Sequence, residues 1–277
     1  MPLDPGLYVA ATPIGNLKDV TYRVIEALSA CDTILCEDTR QTAKLCAAYG
    51  VKTERRAYHE HNAERTRPEI IARLKEGARI CLVSDAGTPL ISDPGYKLVR
   101  EARDAGVSVF PLPGPCAAIA ALSAAGAPTD RFLFAGFAPT GAARLAFFRK
   151  FAAAPSCLVF YETGPRLAES LRDMEEAFGD RKAVIARELT KIHEEFREGA
   201  LSALADGYAI AQPRGEIVVI VFPPAAPAPT PAEIDAFLAA ALPEMSVRDA
   251  AAAAADGFGV TRREAYERAL RLKSKTP

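Results

Sequence analysis

Between residues 7 and 112, short apolar runs alternate with segments whose apolar residues recur at helical spacing. No other feature constrains the fold as much. Leu7–Ala11, Thr33–Cys36, Arg79–Ser84 and Val107–Leu112 read as buried strands, with a weaker one near Arg56–Tyr58. Helices are expected over Asp19–Cys31, then up to Tyr49, then over Arg67–Glu76 and Lys97–Ala105; in the first, Val20, Val24, Ala27 and Leu28 share a face. Strands separated by helices form crossover units, which require a mainly parallel sheet covered on both faces. After Pro113-Gly114-Pro115 and an alanine-rich helix the pattern changes. Arg131–Phe137, Cys157–Tyr161, Lys182–Arg187, Glu194–Glu198 and Glu216–Phe222 read as strands, with helices over Ala142–Ala152, Arg166–Phe178 and Leu201–Tyr208. Strands that follow one another without a helix pair antiparallel, so this half should carry a mixed sheet.

The expected fold is therefore α/β. It has a parallel-sheet domain over residues 1–113, a mixed-sheet α/β domain over 114–222, a Pro/Ala linker over 223–232 and a helical tail over 233–277. The tail holds three helical segments, Ala232–Leu242, Val247–Asp256 and Arg262–Lys273. The last two are joined by Gly257-Phe258-Gly259-Val260, with Thr261 placed to cap the third. That arrangement resembles a small helix-turn-helix, and its spacing equally suits an appendage packed on the body or on a partner subunit.

With 277 residues, 49% of them hydrophobic, the chain can bury a large core. No apolar run reaches the ~18–20 residues needed to cross a bilayer, and no basic start leads into an apolar stretch, so a cytoplasmic protein is expected. The net charge of −1 argues against tight, unspecific binding of naked nucleic acid, while leaving room for a nucleic acid presented by a larger particle. The six cysteines form no CxxC pair and lie in or beside apolar segments, so reduced, buried thiols are expected rather than disulfides or a metal site.

Ligands of open parallel sheets bind beyond the carboxyl ends of the strands. Four turns fall there: Thr12–Asn16, Glu37–Arg40, Asp85–Tyr96 and Pro113–Ala117. The second half adds Tyr161–Gly164 and Arg187–Lys191. None carries a phosphate-loop lysine or a dinucleotide glycine fingerprint. Asp85 could accept hydrogen bonds from a ribose or amino group, or simply close its own loop; with Gly87-Thr88-Pro89 and Asp93-Pro94-Gly95 beside it, ligand binding is favoured.

TPIGNLKDVTYR, EDTR, HEHN, LVSDAGTPLISDPGY, PLPGPCAAIAALSAAGAPTDRF, FYET and ARELTK, in that order, resemble the tetrapyrrole methylase superfamily, the class III S-adenosylmethionine-dependent methyltransferases. The likeness is to the branch acting on small-subunit ribosomal RNA. It implies two α/β domains with S-adenosylmethionine in the cleft between them, a homodimer, and 2′-O-methylation of a decoding-centre cytidine of 16S rRNA on the small ribosomal subunit. By position it implies a cofactor pocket built from Pro13, Gly15, Asp85, Gly87, Thr88, Gly114, Cys116, Ala117 and Tyr161. The family often has a histidine where this chain has Pro165; no role passes to that position, and Arg166 is retained as an RNA contact. Within the same fold, the alternative is methylation of a tetrapyrrole or a modified protein side chain, which the tail disfavours. From another class, a non-catalytic ribosome-binding regulator is disfavoured by the intact glycine-and-aspartate loops.

Methyl transfer to a ribose hydroxyl needs alignment, a group to take the proton and a cation near the developing oxyanion. Glu37, Asp38 and Arg40 supply both kinds of group from one strand end, and Arg187 and Lys191 supply a second set beside Glu188. The bland alternatives are a capping network for Asp38 and Arg40 and a solvated cluster for the second set. His59 and His61, placed on a strand, would share a face; with no third ligand cluster, substrate contact is favoured over metal. Further RNA contacts are expected from Arg144, Arg149, Lys150, Arg262, Arg263, Arg268, Arg271 and Lys273.

Overall fold

The computed structural model describes residues 3–210, 212–213, 215–224 and 229–274. The chain forms two compact units, Met1–Pro224 and Ala225–Pro277. The first begins with β1 (Gly6–Ala10), α1 (Tyr22–Ala30), β2 (Thr33–Cys36), α2 (Thr39–Ala48), β3 (Arg55–Ala57), α3 (Glu60–Lys75), β4 (Arg79–Leu82), α4 (Tyr96–Asp104) and β5 (Val109–Leu112). The five strands form one sheet in the order β3-β2-β4-β1-β5, every pair parallel. Alternation along each strand divides the side chains between two faces. Tyr8, Ala10, Ile34, Cys36 and Cys81 pack with Val24, Leu28 and Leu45. Leu7, Leu35, Ile80 and Leu82 pack with Ile70, Leu74 and Leu98. The chain leaves β1 for β2 and leaves β4 for β5, so the connections from neighbouring strands diverge beyond their carboxyl ends, where such sheets form a crevice.

The same unit continues with α5 (Ala117–Ala124), β6 (Phe132–Phe137), α6 (Ala143–Arg149), β7 (Cys157–Thr163), α7 (Gly164–Phe178), β8 (Lys182–Arg187), β9 (Glu195–Ala200), α8 (Leu201–Ile210) and β10 (Glu216–Val221). The second sheet runs β6-β7-β10-β8-β9; β6 and β7 are parallel and the other pairs antiparallel. One face buries Leu158, Phe160, Ile185 and Val219 with Phe148, Leu171, Met174 and Leu204. The other buries Val159, Val184, Ala186 and Val218 against Ala118, Ala121 and Leu122 of α5. The expected α/β architecture, one parallel and one mixed sheet with a helical appendage, is the one observed.

Several expected boundaries move. The helix expected from Arg67 begins at Glu60 and carries Pro68 inside it. His59 and His61 therefore sit at a helix N-terminus, not on a strand. The helix expected from Asp19 is a 3-10 turn over Leu17–Asp19 followed by α1, whose start Thr21 caps through a hydrogen bond from the Val24 N–H (3.3 Å). Residues 225–228 of the expected linker lie outside the described residues. Its last two residues are helical, because α9 (Pro231–Ala241) starts at Pro231 behind a Thr230–Glu233 capping box.

In the second unit α9 is followed by α10 (Val247–Phe258) and α11 (Arg262–Lys273). Ile234 and Leu238 bury themselves against Ala250, Ala254, Ala265 and Ala269. Thr261 caps α11 by accepting the Glu264 N–H (3.2 Å), and Gly259 ends α10 in the left-handed conformation (φ 67°).

Phe160 is fully buried, with the Phe148 and Phe178 rings at 5.2 and 6.2 Å. Phe160→Ala is expected to lower the unfolding free energy by about 3–5 kcal/mol, measured by urea denaturation.

Candidate functional site

The crevice is built on a stitch between β1 and β4. The Thr12 N–H donates to the Gly87 carbonyl (2.8 Å), and the Gly87 N–H donates to the Thr12 carbonyl (3.0 Å). The buried Thr12 hydroxyl also donates to the Ser84 carbonyl (3.1 Å). Gly87 makes this turn at φ 81°, a conformation that costs glycine little. From the same loop, Thr88 Oγ1 donates to the Pro115 carbonyl (2.9 Å), which ties the loop to the turn before α5. Across the cleft, the Tyr161 hydroxyl accepts the Ala118 N–H (3.2 Å), satisfying a first-turn donor of α5, and lies 4.0 Å from Cys116 Sγ. The Phe134 and Phe137 rings close edge-on around Tyr161 at 4.8 and 5.4 Å.

These contacts enclose a cavity of about 160 Å³. Asp85, Gly87, Thr88, Cys116, Ala117 and Tyr161, six of the residues expected to bind cofactor, line it. Pro13 and Gly15 line an adjoining open cleft of about 520 Å³. The two share Ile14, Asp85, Ala86, Lys191 and Glu216, so they are continuous along one edge of the molecule. Gly114 lines neither. A Cβ there would lie 2.9 Å from the Ala11 Cβ, so its glycine serves the packing of the PGPC turn on the end of β1. A Cβ on Gly15 would lie 2.7 Å from Lys191 Cγ and 2.8 Å from the Leu189 carbonyl, because the β1 loop abuts the loop between β8 and β9.

Among the described residues, the non-glycine positions with positive φ are Leu90 (73°), Ser92 (66°), Glu188 (51°) and Thr190 (66°). Leu90 and Ser92 lie in the loop between β4 and α4, Glu188 and Thr190 in the loop between β8 and β9. Each such residue costs on the order of 1–3 kcal/mol, and such strain gathers where a surface must be held in one shape.

The EDTR segment serves partly as scaffold. Asp38 caps α2: its Oδ1 accepts the Arg40 N–H (2.8 Å), and Arg40 also donates from Nε (3.1 Å) and Nη2 (2.9 Å) to the same carboxylate. Those bonds hold the Asp38 carboxyl below the usual carboxylate range, which makes it a poor proton acceptor. The Asp38 N–H in turn donates to Asp85 Oδ1 (2.9 Å), joining the ends of β2 and β4. Burial, with Asp85 beside it, raises the Glu37 carboxyl. Neither Glu37, Asp38 nor Arg40 lines the cavities.

Of the second set, Lys191 lines both cavities and is paired with Glu188 (2.9 Å). Arg187 is turned into a pair with Glu195 (2.7 Å) and lines neither. Arg166 is held inward: it donates to the Ala138 carbonyl (2.5 Å) and pairs with the buried Glu162 (3.2 Å), whose other oxygen accepts from Ser170 (2.5 Å). The His59 and His61 rings lie 5.9 Å apart at the start of α3. Arg144 leaves the set of expected RNA contacts, since it is 2% exposed and locked by Asp173 (2.6 Å) and Glu169 (3.2 Å). In the tail, Arg262 is exposed, Arg263 pairs with Glu267 (3.0 Å), and Arg268 is committed to Asp235 (3.1 Å) and Glu264 (3.4 Å).

Glu216, to which the sequence assigns no role, and Asp93, whose turn reads either as a lining of the RNA side of the cleft or as the start of the next helix, line the main cavity with Asp85 and Glu188. Burial, then Glu37, Asp85 and Glu216, push the Asp93 carboxyl up to about 6. The signal was present as the second acidic turn, Ser92-Asp93-Pro94-Gly95. An Asp-Pro-Gly sequence before a helix reads equally well as an ordinary turn. A cavity lined by so many carboxylates and one lysine favours a cationic occupant.

The model of the tetrapyrrole (corrin/porphyrin) methylases matches residues 6–205, and that of the RsmI C-terminal HTH domain matches residues 228–273. The chain is 52% identical over 275 residues to ribosomal RNA small subunit methyltransferase I of Mesorhizobium japonicum, covering 98% of this chain and 94% of that protein. It is 45% identical to the protein of that name in Pseudomonas aeruginosa, over 98% of both. Among solved structures, the cobalamin biosynthetic enzyme cobalt precorrin-4 methyltransferase superposes with a TM-score of 0.60 at 18% identity, covering 78% of this chain and 94% of that one. Uroporphyrin-III C-methyltransferase of Thermus thermophilus gives 0.54 at 18% identity, with the same coverage of 78% and 94%. At such identity these two speak for the fold alone.

Proposed function

The chain belongs to the tetrapyrrole methylase family, in the group of ribosomal RNA small subunit methyltransferase I, and from that membership we propose its reaction. It transfers a methyl group from S-adenosylmethionine to the ribose 2′-hydroxyl of a decoding-centre cytidine of 16S rRNA, on the assembled small subunit. The proposed setting is the cytoplasm and the proposed assembly a homodimer.

The observation that carries the reading is the acidic cavity between the two sheets, walled by the stitched loops after β1 and β4 and by Cys116, Ala117 and Tyr161. The residues present fit the donor. Asp85, Glu188 and Glu216 suit its sulfonium and ammonium charges, and the site has no phosphate-binding loop, which a donor without phosphate does not need. Ile14, Ala117 and Val218 offer an apolar wall for a purine. Gly15 lets the β1 loop abut the loop that carries Lys191, Gly87 allows the left-handed turn of the stitch, and Thr88 and Tyr161 fix the wall by hydrogen bonds already made. The donor brings a methyl group already activated by positive sulfur, so the protein's tasks are alignment, exclusion of water and handling of one proton. Lys191, reaching both cavities, is placed to steady a developing oxyanion. The tail, matched as a helix-turn-helix domain, supports an RNA acceptor over a tetrapyrrole or protein side chain. The net charge of −1 supports an acceptor presented by the subunit rather than free RNA.

The deciding experiment is tritiated methyl transfer to purified small subunits lacking ribose methylation, with free 16S rRNA as comparator. Label at a cytidine 2′-oxygen, and preference for the subunit, is the expected result; label on a base would overturn the acceptor assignment. Asp85→Ala is expected to weaken donor binding roughly ten-fold or more by calorimetry, the scale of a lost hydrogen bond to a charged group. Removal of residues 225–277 is expected to reduce subunit methylation while leaving donor affinity within about two-fold.

A further inference from the structure

We propose that Asp93 is the catalytic base, the group that takes the proton from the attacking hydroxyl; this rests on the methyltransferase reading of the cavity. The aspartate sits in the Ser92-Asp93-Pro94-Gly95 turn between β4 and α4, on the wall of the main cavity with Cys116, Phe137, Tyr161 and Ile217.

A structural role does not account for it. An aspartate just before a helix ordinarily caps it by accepting a backbone N–H. Here α4 has Gly95 as its capping residue, and no side chain accepts its first amides. Among the described residues no hydrogen bond or ion pair involves the Asp93 carboxylate. Its half-buried oxygens are therefore free, on a cavity wall, in a segment held open at a conformational cost. Leu90 and Ser92 are left-handed, and Gly95 takes φ 134° with Leu82 so close that a Cβ would lie 2.9 Å from its Cδ2. Ser92 Oγ would lie 3.0 Å from a Cβ on Gly136, so the turn reaches over from the first sheet onto β6 of the second.

Among the described residues Glu216 also keeps an unpaired carboxylate on the cavity wall, where it stands with Asp85 as a seat for the donor's charge; the remaining candidate acceptors are committed. Asp38 is bound three times by Arg40 and lines no cavity. Glu162 accepts from Ser170 and the Thr163 N–H (2.8 Å) and pairs with Arg166. Glu188 and Lys191 pair with each other, and an ion-paired ammonium has no lone pair for a proton. Asp85 receives the Asp38 N–H.

The groups facing Asp93 explain why it would be basic. Glu37 from the end of β2, Asp85 from β4 and Glu216 from β10 are like charges around it, and Tyr161 of β7 is near enough to interact. Burial and these carboxylates favour its protonated form, so it takes a proton more readily than an exposed aspartate. In the transfer, the hydroxyl oxygen uses a lone pair to bond the methyl carbon. The carbon–sulfur pair stays on sulfur, leaving S-adenosylhomocysteine, and the hydroxyl proton moves to a carboxylate oxygen of Asp93, which later releases it to water.

Asp93→Asn, nearly isosteric, tests this in the full-length protein with undermethylated small subunits, alongside calorimetry of S-adenosylmethionine. The expected result is donor affinity within about two-fold of wild type, which also certifies the fold, with kcat lower by roughly 100-fold or more, the scale of general-base catalysis. Wild-type kcat/KM should fall as pH drops through about 6, where Asp93 takes up a proton, and the variant should lack that acidic limb. Unchanged kcat would overturn the proposal, as would a variant whose defect disappears at saturating donor, since Asp93 would then be a seat for the donor's cation. Absence of methyl transfer by the wild type is a different failure: it removes the rRNA reading itself, and the proposal with it.

Discussion

The cleft depends on the pair of hydrogen bonds between Thr12 and Gly87. Parallel strands bond along their length and then part, because each must continue into its own crossover. Beyond the ends of β1 and β4 the departing loops bond to each other in an isolated antiparallel bridge, and the Thr12 hydroxyl adds the Ser84 carbonyl. The consequences run outward. With Gly87 fixed, Thr88 can reach the Pro115 carbonyl, and Pro115 leads into Cys116 and the start of α5. The first amides of α5 meet Tyr161 of β7, and so the second sheet is referred back to the first through a short chain of bonds. Shape in the cavity is thus inherited from a stitch in the parallel sheet.

The same logic explains where strain is tolerated. Two loops hold all the described left-handed non-glycine residues, and both line the cavity. Such conformations survive only if their surroundings outweigh them. Around Leu90 and Ser92 the surroundings are Leu82, Gly95 and Gly136; around Glu188 and Thr190 they are Gly15 and Gly215, the latter with no Cβ to collide with the Glu188 carboxylate. Glycine at each contact is the complement of strain at its neighbour. The result is two acidic loops held facing each other with few of their carboxylates neutralised.

Much of this was legible in the sequence because the strands are apolar, short and separated by amphipathic helices. Thr33–Cys36 and Lys182–Arg187 were read with their boundaries intact. The loops followed from strand polarity, since ligand sites of parallel sheets lie at carboxyl ends. What escaped shares one cause: no local pattern encodes it. Residues 60–66 of α3 bury no side chain fully and offer only Ala63 to the core, so they carry no apolar stripe, and Pro68 reads as a helix start rather than an interior residue. Arg144 looked like a solvated charge until α7 supplied Glu169 and Asp173 from a turn apart. Asp38 and Arg40 read as catalytic candidates from their side chains, whereas the bond that joins the end of β2 to Asp85 is made by the Asp38 N–H, which no side-chain pattern encodes. Asp93 looked like turn chemistry, and only the second sheet, some forty residues and more away in sequence, makes its position a cavity wall.

Electrostatics then separates the two partners of the reaction. The cavity gathers Asp85, Asp93, Glu188 and Glu216 around Lys191, a field that draws a cation and repels phosphate. In the proposed reaction, a polyanion that must place one ribose there cannot be held by the cavity itself. Its backbone must be gripped by other charges, and the chain as a whole, at −1, has no surplus with which to hold free RNA tightly. Arg144, Arg166, Arg187 and Arg268 are committed to internal partners, which removes them from any grip on a polyanion. Weak electrostatic grip combined with a rigid, negatively lined cavity suits an acceptor whose nucleotide is already presented in a fixed shape. In that case recognition comes from the fit of a preformed surface, and the cavity is free to be shaped for the donor and for the one proton that must leave.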